Sequence, residues 1–135
     1  MAKFVLTDAF VSIDGNDLSS SCRSVTINYG ADEADDTHFA DDTHQFIGGL
    51  KTWSMEMEFS ADFAASQVDS ILFPLVGTTF TVIVRPTSSA VSSTNPNYTG
   101  TALLSSFNPI QGAVGDKATQ TVTLSAGGTL SRATS

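Results

Sequence analysis

Apolar and polar residues alternate with a period of two along most of this chain. Residues 53–59 read Trp53, Ser54, Met55, Glu56, Met57, Glu58, Phe59, apolar at odd positions and polar at even ones. A strand with that pattern buries one face and wets the other. Val25, Ile27 and Tyr29 alternate with Thr26 and Asn28 in the same way. Phe80, Val82 and Val84 alternate with Thr81 and Ile83 until Arg85-Pro86 stops the run. Tyr98 to Phe107 reads as a further strand, with Leu103, Ser105 and Phe107 on one face. Thr119 to Leu124 sets Val122 and Leu124 opposite Thr119, Thr121 and Thr123. Near the start, Phe10 to Ile13 runs into Asp14-Gly15-Asn16, a strong hairpin signal, with Leu18 beyond it.

One stretch departs from this period. Ala64, Val68, Ile71, Leu72 and Leu75 recur at helical spacing, predicting one amphipathic helix over about residues 62–73. Ser60 or Asp62 is placed to cap it, and Pro74 disfavours helical geometry at Phe73. Strands at short intervals with one helix predict a mainly β fold, a two-sheet β-sandwich or barrel with one flanking helix. Two stretches read as loops: residues 30–47, and Thr87 to Asn97, rich in Ser, Thr, Asn and Pro. No linker divides the 135 residues, so a single domain is expected over 1–135. The ends, 1–8 and 128–135, lack packing signals and are expected to dock on neighbours or stay flexible.

Composition narrows the function. Charged residues make up 15% of the chain, against about 25% in an average soluble domain. The formal charge is −8, from 6 basic and 14 acidic residues, which argues against a surface built to grip nucleic acid. The single Cys22 excludes an internal disulfide framework and a multi-cysteine zinc site. No apolar run approaches the ~18 residues of a membrane span, so no membrane partner is expected. Met1 to Asp8 has no apolar h-region, so no secretory signal peptide is expected.

The early loop holds a tandem hexad. Ala34-Asp35-Asp36-Thr37-His38-Phe39 is followed by Ala40-Asp41-Asp42-Thr43-His44-Gln45, and between Asp32 and Asp42 stand six acids and no base. Such a segment repels itself and stays extended or mobile until a partner orders it. Imidazoles and carboxylates suit a metal, but at strand spacing the two His lie ~20 Å apart, so a solvated or partner-binding loop is the better reading. Glu56 and Glu58 are neighbours on one wet strand face. A glycosidase pair would need carboxyls ~5–9 Å apart flanking a sugar, and no aromatic platform stands beside them. Asp14 to Asp17 lacks the spacing of an EF-hand and is a turn. Cys22 has no arranged base and reads as a small hydrophobe. No nucleophile elbow or phosphate loop occurs. No enzyme activity and no cofactor are expected.

Several stretches carry a resemblance. They are Gly49-Leu50-Lys51-Thr52-Trp53-Ser54-Met55-Glu56 and Val68-Asp69-Ser70-Ile71-Leu72-Phe73-Pro74-Leu75-Val76-Gly77-Thr78. Further on come Val84-Arg85-Pro86-Thr87, Asn95-Pro96-Asn97-Tyr98-Thr99-Gly100, Gly115-Asp116 and Gly127-Gly128-Thr129-Leu130-Ser131-Arg132. From about residue 45 onward the chain resembles the tail-tube (major tail) proteins of long, non-contractile-tailed bacteriophages, of the short kind found in phages of actinobacteria. The resemblance implies hexameric rings stacked into a hollow tube, a lumen that passes DNA during ejection, and a place in the virion tail after assembly in the host cytoplasm. It implies a tape-measure protein, a tail terminator and tip or baseplate proteins as partners. The duplicated hexad departs from the family pattern.

Within that reading, Ser54, Glu56 and Glu58 are candidates for the lumen. An acidic wall repels DNA everywhere and binds it nowhere, and a ring of six would carry −48 formal charges, six times −8. The loop residues Asp32, Glu33, Asp35, Asp36, His38, Phe39, Asp41, Asp42 and His44 are candidates for contact with a neighbouring subunit or ring. Lys51, Arg85, Lys117 and Arg132 are candidate basic partners across interfaces. Other classes stay open: a tail terminator or capsid cement protein, or a free-standing β-sandwich binding module. The module would need exposed aromatics, whereas the alternation puts Trp53 in the core.

Overall fold

The computed structural model describes residues 5–65 and 67–134. Seven strands follow in order: β1 Phe10–Ile13, β2 Asn16–Asp17, β3 Cys22–Asp35, β4 Phe46–Ser60, β5 Thr79–Arg85, β6 Asn97–Gln111 and β7 Thr119–Ala133. A helix α1, Val68–Leu72, lies between β4 and β5 and runs into a 3-10 turn at Phe73–Leu75. The mainly β class with one helix is what the sequence predicts. All strand pairs are antiparallel, and they form one continuous sheet in the order β2-β1-β5-β6-β7-β4-β3.

Alternation decides which face is inside. Trp53, Met55, Met57 and Phe59 of β4 are buried, as are Phe80, Val82 and Val84 of β5, and Val122 and Leu124 of β7. They join Val11 and Ile13 of β1, and Val68 and Leu72 of α1, in one apolar cluster. A single sheet whose inner residues all meet in one cluster has to be rolled around it. The roll stays open, because the strands at its two ends, β2 and β3, are not paired with each other. The β1–β2 turn fits its sequence: Asp14 and Gly15 both take positive φ, 52° and 80°, as a two-residue hairpin of this hand requires.

Four expectations are corrected. The helix is shorter than 62–73, because Asp62 spends its carboxylate on the Ala64 N–H in a local turn and regular helix begins only at Val68. Ser66 of that stretch lies outside the described residues. In β6 the core takes Gly100, Ala102 and Leu104, the opposite parity to Leu103, Ser105 and Phe107; the register shift at Leu104/Ser106 then brings Phe107 back against the core. A bulge changes phase at one residue, which a reading by strict period two misses. The stretch 30–47 is a loop only in its middle: β3 and β4 stay paired out to Asp35↔Phe46, and residues 36–45 alone form the connection. Nor is the C-terminal stretch unpaired, since Leu130 to Ala133 pair with β6 back to Asn97. Near the N-terminus, Asp8 bridges Thr87, while residues 1–4, like Ser135, lie outside the described residues.

Candidate functional site

The outer face of β3, β4, β7 and β6 is polar across its width. Thr26, Glu56, Thr123 and Ser106 stand in one cross-strand row, and Ser24, Glu58, Thr121 and Asn108 in the next. Residues directly opposite in a ladder share a face, so these rows make a continuous wall of hydroxyls, amides and two carboxylates. Asn108 Nδ2 donates to Thr121 Oγ1 at 3.0 Å, and Thr121 Oγ1 to Gln111 Oε1 at 3.0 Å. Ser125 Oγ donates to Ser105 Oγ at 3.2 Å. Ser54 and Ser125 face each other in the ladder at the next row.

The two carboxylates are not equivalent. Arg23 Nη1 lies 3.2 Å from Glu58 Oε1, so one acid on this wall is neutralised by its own chain. Glu56 is exposed and has no cation partner among the described residues. The wall is therefore hydroxyl-rich and weakly acidic rather than strongly acidic. Arg23 escaped the sequence reading because the bulge between Cys22 and Ser24 sets which residue reaches Glu58. Beside it, burial pushes the Cys22 thiol up to about 11, eased by a backbone hydrogen bond with Ser24 and raised further by Glu58. The thiol is protonated and unreactive at neutral pH.

The second feature is a hairpin arm. Beyond Asn28↔Ser54, strands β3 and β4 run on as a two-stranded ladder with every residue from 28 to 52 exposed. The six residues Gly30–Asp35 alone carry it about 20 Å. The duplicated hexad closes its end, and the copies differ. The first supplies the last paired residue, Asp35, whose carboxylate accepts the Thr37 N–H at 2.9 Å; the Thr37 side chain first and this N–H second hold the Asp35 carboxyl below its usual range. Thr37 Oγ1 accepts the Gln45 N–H at 2.8 Å. In the turn, Asp41 Oδ2 accepts the His38 N–H at 2.7 Å, and the His38 imidazole sits 3.7 Å from Asp41 and 3.8 Å from Asp36. His44 instead lies against Phe46, ring centroids 6.4 Å apart. Asp32 lies in the bulge between Ala31 and Glu33. Among the described residues no three His, Cys, Asp or Glu side chains converge on a metal position.

Apolar side chains are exposed on the arm: Tyr29, Phe39, Phe46, Ile47 and Leu50, the last at 81%. Phe63, Phe73 and Val76 around α1, Ile110 at the end of β6, and Val114 between β6 and β7, are exposed as well. Exposed apolar residues in such clusters mark contact surfaces. The basic candidates are scattered. Lys51 stands on the arm opposite Ala31, Lys117 is exposed in the β6–β7 connection, and Arg132 is exposed opposite Tyr98. Arg85 is half-buried with its guanidinium 4.0 Å from the Phe10 ring centroid. No helix among the described residues is long and apolar enough to cross a membrane.

No protein-family profile matches the chain, and no curated protein sequence does. Solved structures do. A chain from the virion of a native gene transfer agent (GTA) particle superposes with a TM-score of 0.70 at 17% identity, covering 93% of this chain and 95% of that one. A chain from the tail of an empty GTA particle, refined with C6 helical symmetry, gives 0.65 at 17% identity, over 82% and 81%. A chain from the six-fold symmetrised baseplate of the anti-feeding prophage gives 0.62 at 9% identity, over 98% and 97%. The fold is thus one found in phage-type tail and baseplate particles.

Proposed function

We propose that this chain is a structural, non-enzymatic subunit of a phage-type tail tube, forming hexameric rings that stack and conduct DNA. The observation that carries the reading is the end-to-end likeness to the GTA particle chains, one from a tail of six-fold symmetry. The four-strand polar face supports it: a channel wall needs a wide, wet sheet face without a grip on phosphate. In this reading Ser54, Glu56 and Glu58 face the lumen, the arm reaches a neighbouring subunit or ring, and the exposed apolar clusters are covered in the assembly. Its partners are further copies, a tape-measure protein, a terminator and tip or baseplate proteins, with DNA passing unbound. Its place is the virion tail, assembled in the host cytoplasm.

Cryo-electron microscopy of the concentrated protein tests this. Stacked hollow rings of six, with Glu56 and Glu58 on the inner wall, are the expected result. Both carboxylates on the outer surface would sink the channel assignment. A second reading, a baseplate ring, is favoured by the likeness to the anti-feeding prophage baseplate over 98% of the chain; it predicts one ring that does not stack. A further expected result concerns Glu56, the unpaired acid of the wall. Glu56→Arg should change stability by less than about 0.5 kcal/mol, as exposed substitutions do. Tubes of this variant should retain DNA at low salt and release it as salt rises, while unaltered tubes retain none. Equal retention by both would remove Glu56 from the channel.

A further inference from the structure

The seam of the rolled sheet holds a mostly apolar groove of about 370 Å³, lined by Leu6, Val25, Ile27, Val84, Arg85 and Tyr98. Val25 and Ile27 belong to β3, an edge strand whose outer side carries no partner strand among the described residues. Arg85 is fixed in place by the Phe10 ring under its guanidinium and by Asn97 Oδ1 at 3.5 Å from Nη1. Its Nε is buried and has no hydrogen-bond acceptor among the described residues. Arg85 as a whole is only half-buried and lines the groove, so an arriving carboxylate would meet its charge there with a charge-assisted bond. Arg132 stands opposite Tyr98 in the ladder and adds a second cation near the groove.

The same chain carries a complementary projection. Phe39 at the end of the arm is fully exposed, with Asp36, Asp41 and Asp42 close in sequence on either side. Asp42 makes no side-chain hydrogen bond among the described residues, unlike Asp35 and Asp41. An aromatic anchor flanked by carboxylates matches an apolar slot bordered by arginines in both shape and charge. The two cannot meet within one chain. From Ile27 in the groove to Asp35 the paired β3 strand holds the arm's end about 26 Å away.

We propose that Phe39 of one copy seats in the seam groove of another copy, with the Asp42 carboxylate on Arg85. This rests on the reading that copies of the chain assemble. It adds a receptor and a recognition pair to the arm, and it gives the unpaired β3 edge a cover.

Site-directed cross-linking tests it in the full chain with Cys22→Ser. One preparation carries Ala40→Cys, which leaves the neighbouring Phe39 in place, and a second, differently tagged, carries Pro86→Cys at the groove. Mixed at assembling concentration and mildly oxidised, they should form a disulfide between the two tags at least about tenfold faster than Ala40→Cys with Thr121→Cys on the polar face. Adding Arg85→Gln to the groove chain should cut that rate about tenfold, and Arg85→Lys should restore most of it, with circular dichroism showing both variants folded. No cross-link, an equal rate with Thr121→Cys, or indifference to Arg85→Gln would each overturn the proposal. Microscopy of the same mixtures separates it from the tube reading. Tubes without the cross-link reject the groove alone, while the cross-link without rings supports the groove and rejects the tube.

Discussion

Replacing residues 31–51 by Asn-Gly, so that Gly30 turns directly into Thr52, should abolish tube elongation and leave the subunit folded. Gly30 and Thr52 are paired across the β3–β4 ladder, so a two-residue turn closes the shortened hairpin without changing its register. Every residue removed is exposed, and none belongs to the core cluster. The melting temperature should therefore move by no more than about 5 °C, the equivalent of about 1 kcal/mol for a domain of this size. Assembly should respond differently. The excised segment carries Phe39, Phe46, Ile47 and Leu50 exposed. Covering such a side chain contributes about 1.5–3 kcal/mol. Losing even two from an interface weakens association by about 100-fold or more. Light scattering and electron microscopy of the truncated chain check both halves. Normal tubes from a folded truncation would remove the arm from assembly, and an unfolded truncation would show that the arm supports the subunit itself.

What period two could and could not reveal follows from where the core sits. The β4 run from Trp53 to Phe59 is legible because both of its neighbours, β3 and β7, pair with it without a break over Val25–Ile27 and Val122–Leu124. The arm is illegible because nothing packs on it. Its residues from 30 to 35 are paired by backbone hydrogen bonds alone, and acidic, Gly-containing segments carry no apolar alternation to announce a strand. The sequence shows six acids in one early stretch; the ladder carries them to the far end of an arm. On the polar wall, alternation finds Ser54, Glu56 and Glu58, but it cannot find Arg23. Only the bulge at Cys22/Ser24 aims that side chain, and a bulge leaves no composition signal of its own. Arg85 is the opposite case. Its place at the end of a strand before Pro86 is plain in the sequence, while its setting depends on Phe10, 75 positions earlier, and on a seam that exists only once the sheet has rolled.

Gly100→Ala should be the most destabilising small substitution in the strand region. A Cβ built at Gly100 would lie 2.9 Å from Trp53 Cζ2, 3.1 Å from Cη2 and 3.3 Å from the Thr129 carbonyl oxygen. The indole cannot step aside cheaply. Trp53 is 4% exposed, and its Nε1 donates to the Gly128 carbonyl at 2.8 Å, which fixes the ring plane across β6 and β7. Overpacking of this kind costs about 1–3 kcal/mol, and at this chain length each kcal/mol lowers the melting temperature by about 4 °C. The cause can be separated from a loss of strand propensity by a double-mutant cycle. Trp53→Phe removes the six-membered ring edge that the new methyl would strike, together with the bond to Gly128. In that background the alanine should cost less than about 0.5 kcal/mol, so the pair should couple by about 1 kcal/mol or more. A Gly100→Ala chain that melts like the parent, or a penalty unchanged by Trp53→Phe, would mean that Trp53 does not set the spacing of β6 and β7. Those two strands carry Tyr98 and Arg132 to the seam. The coupling therefore also reports how firmly the proposed receptor for Phe39 is held.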